Sequence, residues 1–89
     1  MASYKILIKP SAAKEIEAAP KKDRLRLVKR IQGLSYDPRP TGCEKLSGKD
    51  KYRVRQGRYR IVYSISDVEP TVVVVRVGHR REVYRHARR

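Results

Sequence analysis

At 89 residues the chain is one small domain, 1–89, with a modest core, and 23 Lys+Arg against 9 Asp+Glu give it a formal charge of +14. Solubility does not require that excess, so the partner expected is nucleic acid, a membrane surface or an acidic protein. The lone Cys43 excludes an internal disulfide, no apolar run approaches membrane-spanning length, no signal-peptide pattern opens the chain, and Cys43, His79 and His86 lack metal-ligand spacing; the expected setting is a reducing cytoplasm, without metal or cofactor.

Tyr4 to Ile8 alternates Tyr4, Ile6 and Ile8 and reads as a first strand. Pro10-Ser11 starts a short helix with Ser11 as N-cap, and Ala12, Ile16 and Ala19 form one stripe until Pro20. From Lys21 to about Ser35, Leu27, Ile31 and Leu34 recur at helical spacing beside Val28, while Lys22, Arg26 and Lys29 take the opposite face. That is an amphipathic helix. Asp37-Pro-Arg-Pro-Thr-Gly42 breaks it, and Glu44-Lys-Leu-Ser-Gly48 leads through another turn.

Tyr52-Arg-Val-Arg-Gln-Gly-Arg-Tyr-Arg-Ile-Val-Tyr63 reads as a β-hairpin turning at Gly57-Arg58, with the glycine of a type II′ turn at the first central position. This register sets Gln56 against Tyr59, Val54 against Ile61 and Tyr52 against Tyr63 on an apolar face. Arg55 then faces Arg60, and Arg53 faces Val62, on the other side. Arginines opposed across a ladder repel, so the arrangement is costly unless negative charge covers it.

Asp67 to Pro70 forms a second hairpin loop, and Thr71-Val-Val-Val-Val-Arg-Val77 reads as a strand covered on both faces and therefore central. Arg76 is expected to pair with Glu82 or Asp67. Gly78 permits a sharp exit, after which His79, Arg80 and Tyr84 fold back over the open face. The fold class is α+β: an N-terminal strand and helical hairpin packed on one face of a small, mainly antiparallel sheet. The free face is basic, with one imidazole and one phenol nearby.

Lys45-Leu-Ser-Gly48, the Arg58-Tyr-Arg-Ile-Val-Tyr63 strand and the His79-Arg-Arg-Glu-Val-Tyr84 ending, following a helical hairpin, resemble the RelE branch of the RelE/ParE toxin superfamily over nearly the whole chain. The resemblance implies a type II toxin: a metal-independent endoribonuclease that cleaves mRNA in the ribosomal A site beside ribosomal RNA, and that a RelB-like antitoxin neutralises. By position, the family's catalytic arginines match Arg60 and Arg80, its C-terminal tyrosine matches Tyr84, and its basic strand pair matches Arg53 and Arg55. Lys51, Arg58 and Arg81 join these last as expected RNA contacts. The best-known pattern has lysines at that pair, and arginine is a poor base because it stays charged, with a pKa above about 12. The base is therefore expected to be Tyr84 or His79.

Duller roles stand beside these. Tyr84 packs on the sheet, His79 is a turn residue or phosphate contact, and Arg85, His86, Arg88 and Arg89 form a basic tail. Two other functions also remain open: a ParE-like gyrase inhibitor without nuclease activity, and a non-catalytic basic nucleic-acid-binding module.

Overall fold

The structure, a computed structural model, describes residues 3–46 and 50–79. In chain order the elements are β1 (Lys5–Ile8), α1 (Pro10–Ala18), α2 (Lys21–Gly33), β2 (Glu44–Lys45), β3 (Lys51–Gln56), β4 (Tyr59–Ser66) and β5 (Thr71–His79). The strands form one sheet in the order β1-β5-β4-β3-β2. Every neighbouring pair is antiparallel except β1, which runs parallel to β5 from Lys5↔Thr71 to Ile8↔Val74. This is the α+β arrangement that the sequence predicts.

Both helices pack on one face of the sheet. Ala12 and Ile16 of α1, with Leu27, Ile31 and Leu34 from α2 and its end, meet Val54, Ile61, Tyr63, Ile65, Val72, Val74 and Val77 in a single core. Complete burial of a Leu or Ile side chain contributes about 1.5–3 kcal/mol, so the α2 stripe is a principal source of cohesion. Helix α1 starts at Pro10, whose fixed φ and missing N–H suit a first helical position. Lys9 is consequently its N-cap, in place of Ser11.

The strands depart from expectation in three places. Glu44 and Lys45, read as part of a turn, pair with Arg53 and Tyr52 as the edge strand β2. The middle strand, with both faces covered, is β4, where Arg60, Ile61, Val62 and Tyr63 are all buried; β5 lies between β1 and β4 with one face half-exposed. Nor does Gly78 end its strand, because β5 continues to His79.

Arg76 also has another partner. A register shift between Val62 and Tyr63 makes Val62 face Arg76 and Tyr63 face Val74. Since β1 accompanies β5 only as far as Val74, the next stretch of that edge needs a different acceptor. Glu15 of α1 supplies it, accepting from the Val77 backbone N–H at 2.8 Å and from Arg76 Nη2 at 3.0 Å. Asp67 is engaged elsewhere, by the Tyr4 hydroxyl at 2.6 Å and Arg39 Nη2 at 3.0 Å.

The segment between α2 and β2 is pinned from the core. Tyr63 donates its hydroxyl to the Pro38 carbonyl at 2.8 Å, with Cys43 Sγ 3.4 Å from the same oxygen. Its ring stacks on Tyr52 at 6.0 Å, and the Arg39 guanidinium covers Tyr52 at 5.2 Å. Cys43, a half-buried free thiol, thus packs beside this hydroxyl.

Candidate nucleic-acid interface

The β3–β4 ladder carries the site, and its register is the one that the alternation of the sequence predicts. Gln56↔Tyr59, Val54↔Ile61 and Tyr52↔Tyr63 face the helices, while Arg55↔Arg60 and Arg53↔Val62 face away. Gly57 at φ 61° makes the turn, and Arg58 has no positive φ, which together give type II′ geometry.

The arginines of this face differ in environment. Arg60 is only 2% exposed although it lies away from the core, so the face is not the open, solvated surface expected there. Its cross-strand neighbour on β5 is Gly78, which has no side chain to compete for the space. Arg55 is exposed, and Arg58 is exposed at the hairpin tip. Arg53 forms an ion pair with Glu44, its direct neighbour on β2, at 2.5 Å between Nη2 and Oε1. Half-buried Lys51 lies farther along β3 on the same face, opposite Ser64.

A charge that is buried on a β-strand is a fixed cation. Strand pairing holds its backbone, so little reorganisation is needed to meet an anion, and low local polarity strengthens the attraction. Planar guanidinium groups also match the oxygens of a phosphate in pairs. The face can therefore position a phosphodiester and stabilise charge that develops on it.

His79 is placed elsewhere. It lies directly opposite Tyr59, which packs on the core, and the two rings meet edge to face at 6.1 Å. Directly opposed residues share a sheet face, so His79 points to the helix side, into a cavity of about 240 Å³ beside Glu15 and Ala18. The structure does not bring it together with Arg53, Arg55 and Arg60. Arg80, Arg81 and Tyr84 lie outside the described residues.

Glu44, read as part of a turn, was not among the expected site residues, and its place beside Arg53 becomes visible only once β2 pairs with β3. The Arg53 guanidinium, first of all, holds its carboxyl below the usual carboxylate range, with the charges of Arg55 and Arg60 acting the same way. Among the described residues, no group of three or more His, Cys, Asp or Glu gathers as a metal site. On the helix side, Arg26, Lys29 and Arg30 line a second cavity of about 290 Å³ near Gln56.

The family model described as "ParE toxin of type II toxin-antitoxin system, parDE" matches residues 6–84. Toxin RelG of Mycobacterium tuberculosis is 31% identical over 86 residues, covering 92% of this chain and 97% of that protein. The fold is similar to the crystal structure of the toxin–antitoxin complex RelBE2 from M. tuberculosis, at TM-score 0.80 and 29% identity over 90% of this chain and 94% of that one. It is also similar to the isolated E. coli RelE toxin, at TM-score 0.76 and 31% identity over 96% and 95% of the two chains.

Proposed function

This chain belongs to the RelE/ParE superfamily of type II toxin–antitoxin toxins, and we propose that it is a ribosome-dependent endoribonuclease that cleaves mRNA in the A site. The observation that carries this reading is buried Arg60, with Arg55 opposite and Arg53 two residues away on one sheet face. Cleavage by the RNA's own 2′-hydroxyl requires that hydroxyl to lose a proton, the phosphate to be stabilised as charge accumulates, and the 5′-oxygen to gain a proton. Arg60 and Arg80 clamp the scissile phosphate. Arg53 and Arg55, with Lys51, Arg58 and Arg81, hold the flanking RNA backbone. Tyr84 supplies a proton transfer, and the ribosome orients the RNA for in-line attack, which itself removes much of the barrier.

The cognate antitoxin is the second partner. RelBE2 and other similar structures are toxin–antitoxin complexes, and a chain of charge +14 suits an acidic antitoxin segment. Covering Arg55 and Arg60 would relieve their repulsion and raise the melting temperature of the complex. An unchanged melting temperature would contradict this antitoxin placement.

Purified chain incubated with a defined mRNA, with and without ribosomes whose A site is empty, tests the nuclease reading when both RNA ends are mapped. Ribosome-dependent cuts at A-site codons that disappear with Arg80→Ala are expected. The matched family description reads ParE toxin, so gyrase inhibition is the second reading. Absence of any RNA cut, together with inhibition of supercoiling, would establish that reading in place of the first.

A further inference from the structure

Arg26, Lys29 and Arg30 lie on one stripe of α2, and Gly33 continues it without a side chain. The stripe borders the helix-side cavity of about 290 Å³, which Asp37 and Pro40 of the following segment and Gln56 of β3 also line. Tyr63 fixes that segment by holding the Pro38 carbonyl from the core. Arg55 and Arg60 occupy the opposite face of the sheet. The cavity is therefore separate from the Arg60 interface.

This lining is not that of a solvated cationic helix face. Arg30 is half-buried, and its Nε is shut from solvent with no hydrogen-bond partner among the described residues. A guanidinium in that state gains more from an anion than a fully hydrated one does. Arg26 and Arg30 sit one turn apart, where like charges destabilise a helix, and neither joins an ion pair among the described residues. The carbonyls at the end of α2, which would repel an anion, are occupied. Those of Ile31, Gln32 and Gly33 accept from the N–H groups of Leu34, Ser35 and Asp37 at 3.0, 3.1 and 3.2 Å.

We propose that this cavity binds a ribonucleoside monophosphate, an inference independent of the nuclease reading. Its size is close to the small end of the range of about 300–1,000 Å³ usual for small-ligand sites, which suits one nucleotide. Arg30, flanked by Arg26 and Lys29, holds the phosphate with a planar fork that pairs with its oxygens. Exposed Asp37 is what separates a nucleotide from bare phosphate. Its carboxylate repels a free anion but accepts hydrogen bonds from ribose hydroxyls, while one oxygen also accepts from the Arg39 backbone N–H at 3.2 Å. The Gln56 amide offers a donor and an acceptor to a base edge, and Pro40 and Leu34 give the ring an apolar wall.

Titrating the isotope-labelled chain at low salt with AMP, GMP, CMP and UMP, their 2′-deoxy counterparts, inorganic phosphate and a short RNA, each followed by amide shifts, tests the site. At least one ribonucleotide should shift the amides of Lys29 to Asp37 and of Gln56 saturably. It should bind more tightly than its deoxy counterpart and than inorganic phosphate, and lose that preference in Asp37→Asn. Arg30→Gln should weaken binding about tenfold or more, the scale of a hydrogen bond to a charged group. Gly33→Leu should block it; a Cβ at Gly33 meets no atom within 4 Å, so this variant folds while filling the cavity. Inorganic phosphate binding as tightly as every nucleotide, shifts confined to Arg53, Arg55 and Arg60, or a response to RNA alone would each overturn the proposal. Nucleotide binding of wild-type strength in both Arg30→Gln and Gly33→Leu would do the same.

Discussion

Arg55 and Arg60 face each other across the β3–β4 ladder on the sheet face away from the helices, the first exposed and the second buried. Like charges directly opposed on a ladder destabilise it, where cross-strand pairs are worth roughly 0.2–1 kcal/mol. Replacing the exposed member should therefore stabilise the free protein. Arg55→Gln is expected to raise the melting temperature by about 2–6 °C, given about 4–8 °C per kcal/mol in a domain of this size. The same variant should bind RNA less tightly and show a shallower dependence of affinity on salt. Paired thermal melts and salt titrations check both effects.

Tyr63 governs stability at high pH. Burial, first of all, pushes its phenol above the usual range, so the folded protein holds this proton more tightly than the unfolded chain does. The associated stability is complete below about pH 10, the ordinary tyrosine value, and is lost as pH rises beyond it. Urea unfolding at pH 8 and at pH 11 should show the loss, and Tyr63→Phe should reduce it. At pH 8 the same substitution removes the donor to the Pro38 carbonyl, at a cost of about 1–3 kcal/mol.

The Glu15 carboxylate completes the β5 edge where β1 has ended, serving Val77 N–H and Arg76 together. Glu15→Ala leaves a backbone donor and a half-buried guanidinium without this acceptor, and should destabilise the fold by about 1–3 kcal/mol. Gln retains one acceptor oxygen and should cost less. Hydrogen exchange at the Val77 amide reads the contact directly: faster in Ala, close to wild type in Gln.

Acid acts through Asp67. Its bond to Arg39, and then the one to Tyr4, hold the carboxyl below the ordinary aspartate range. A depressed folded value contributes stability that is present above the unfolded pKa of about 3.9 and lost as pH falls through the folded one. Asp67→Asn should flatten that part of the acid-side stability profile in melts taken from neutral pH downward.

The hairpin register was legible because its determinants are local: two alternating runs and one glycine where a positive φ is required. The α2 stripe was legible for the same reason. The parallel pairing of β1 with β5 joins Lys5 to Thr71, and no local pattern specifies a partner so distant in sequence. Of the two acids expected for Arg76, Asp67 is held by Tyr4 and Arg39 and Glu82 lies outside the described residues, while the acid that does meet Arg76, Glu15, reaches it from α1 across a comparable distance in sequence. Candidate site residues were read by type and face, which placed Arg53, Arg55 and Arg60 together. His79 needed the exact end of β5, where one residue of register decides the face, and a strand that runs through Gly78 puts it opposite Tyr59.

The central claim is that Arg60 is a fixed cation for the scissile phosphate, and single-turnover mRNA cleavage on programmed ribosomes by wild type, Arg60→Ala and Arg60→Lys tests it most directly, with circular dichroism to verify that each variant folds. The account predicts at least about a 10²-fold loss for folded Arg60→Ala, on the scale of losing a transition-state donor, with Lys intermediate because it keeps the charge without the planar fork. A folded Arg60→Ala that cleaves within about threefold of wild type, far short of that scale, would contradict it.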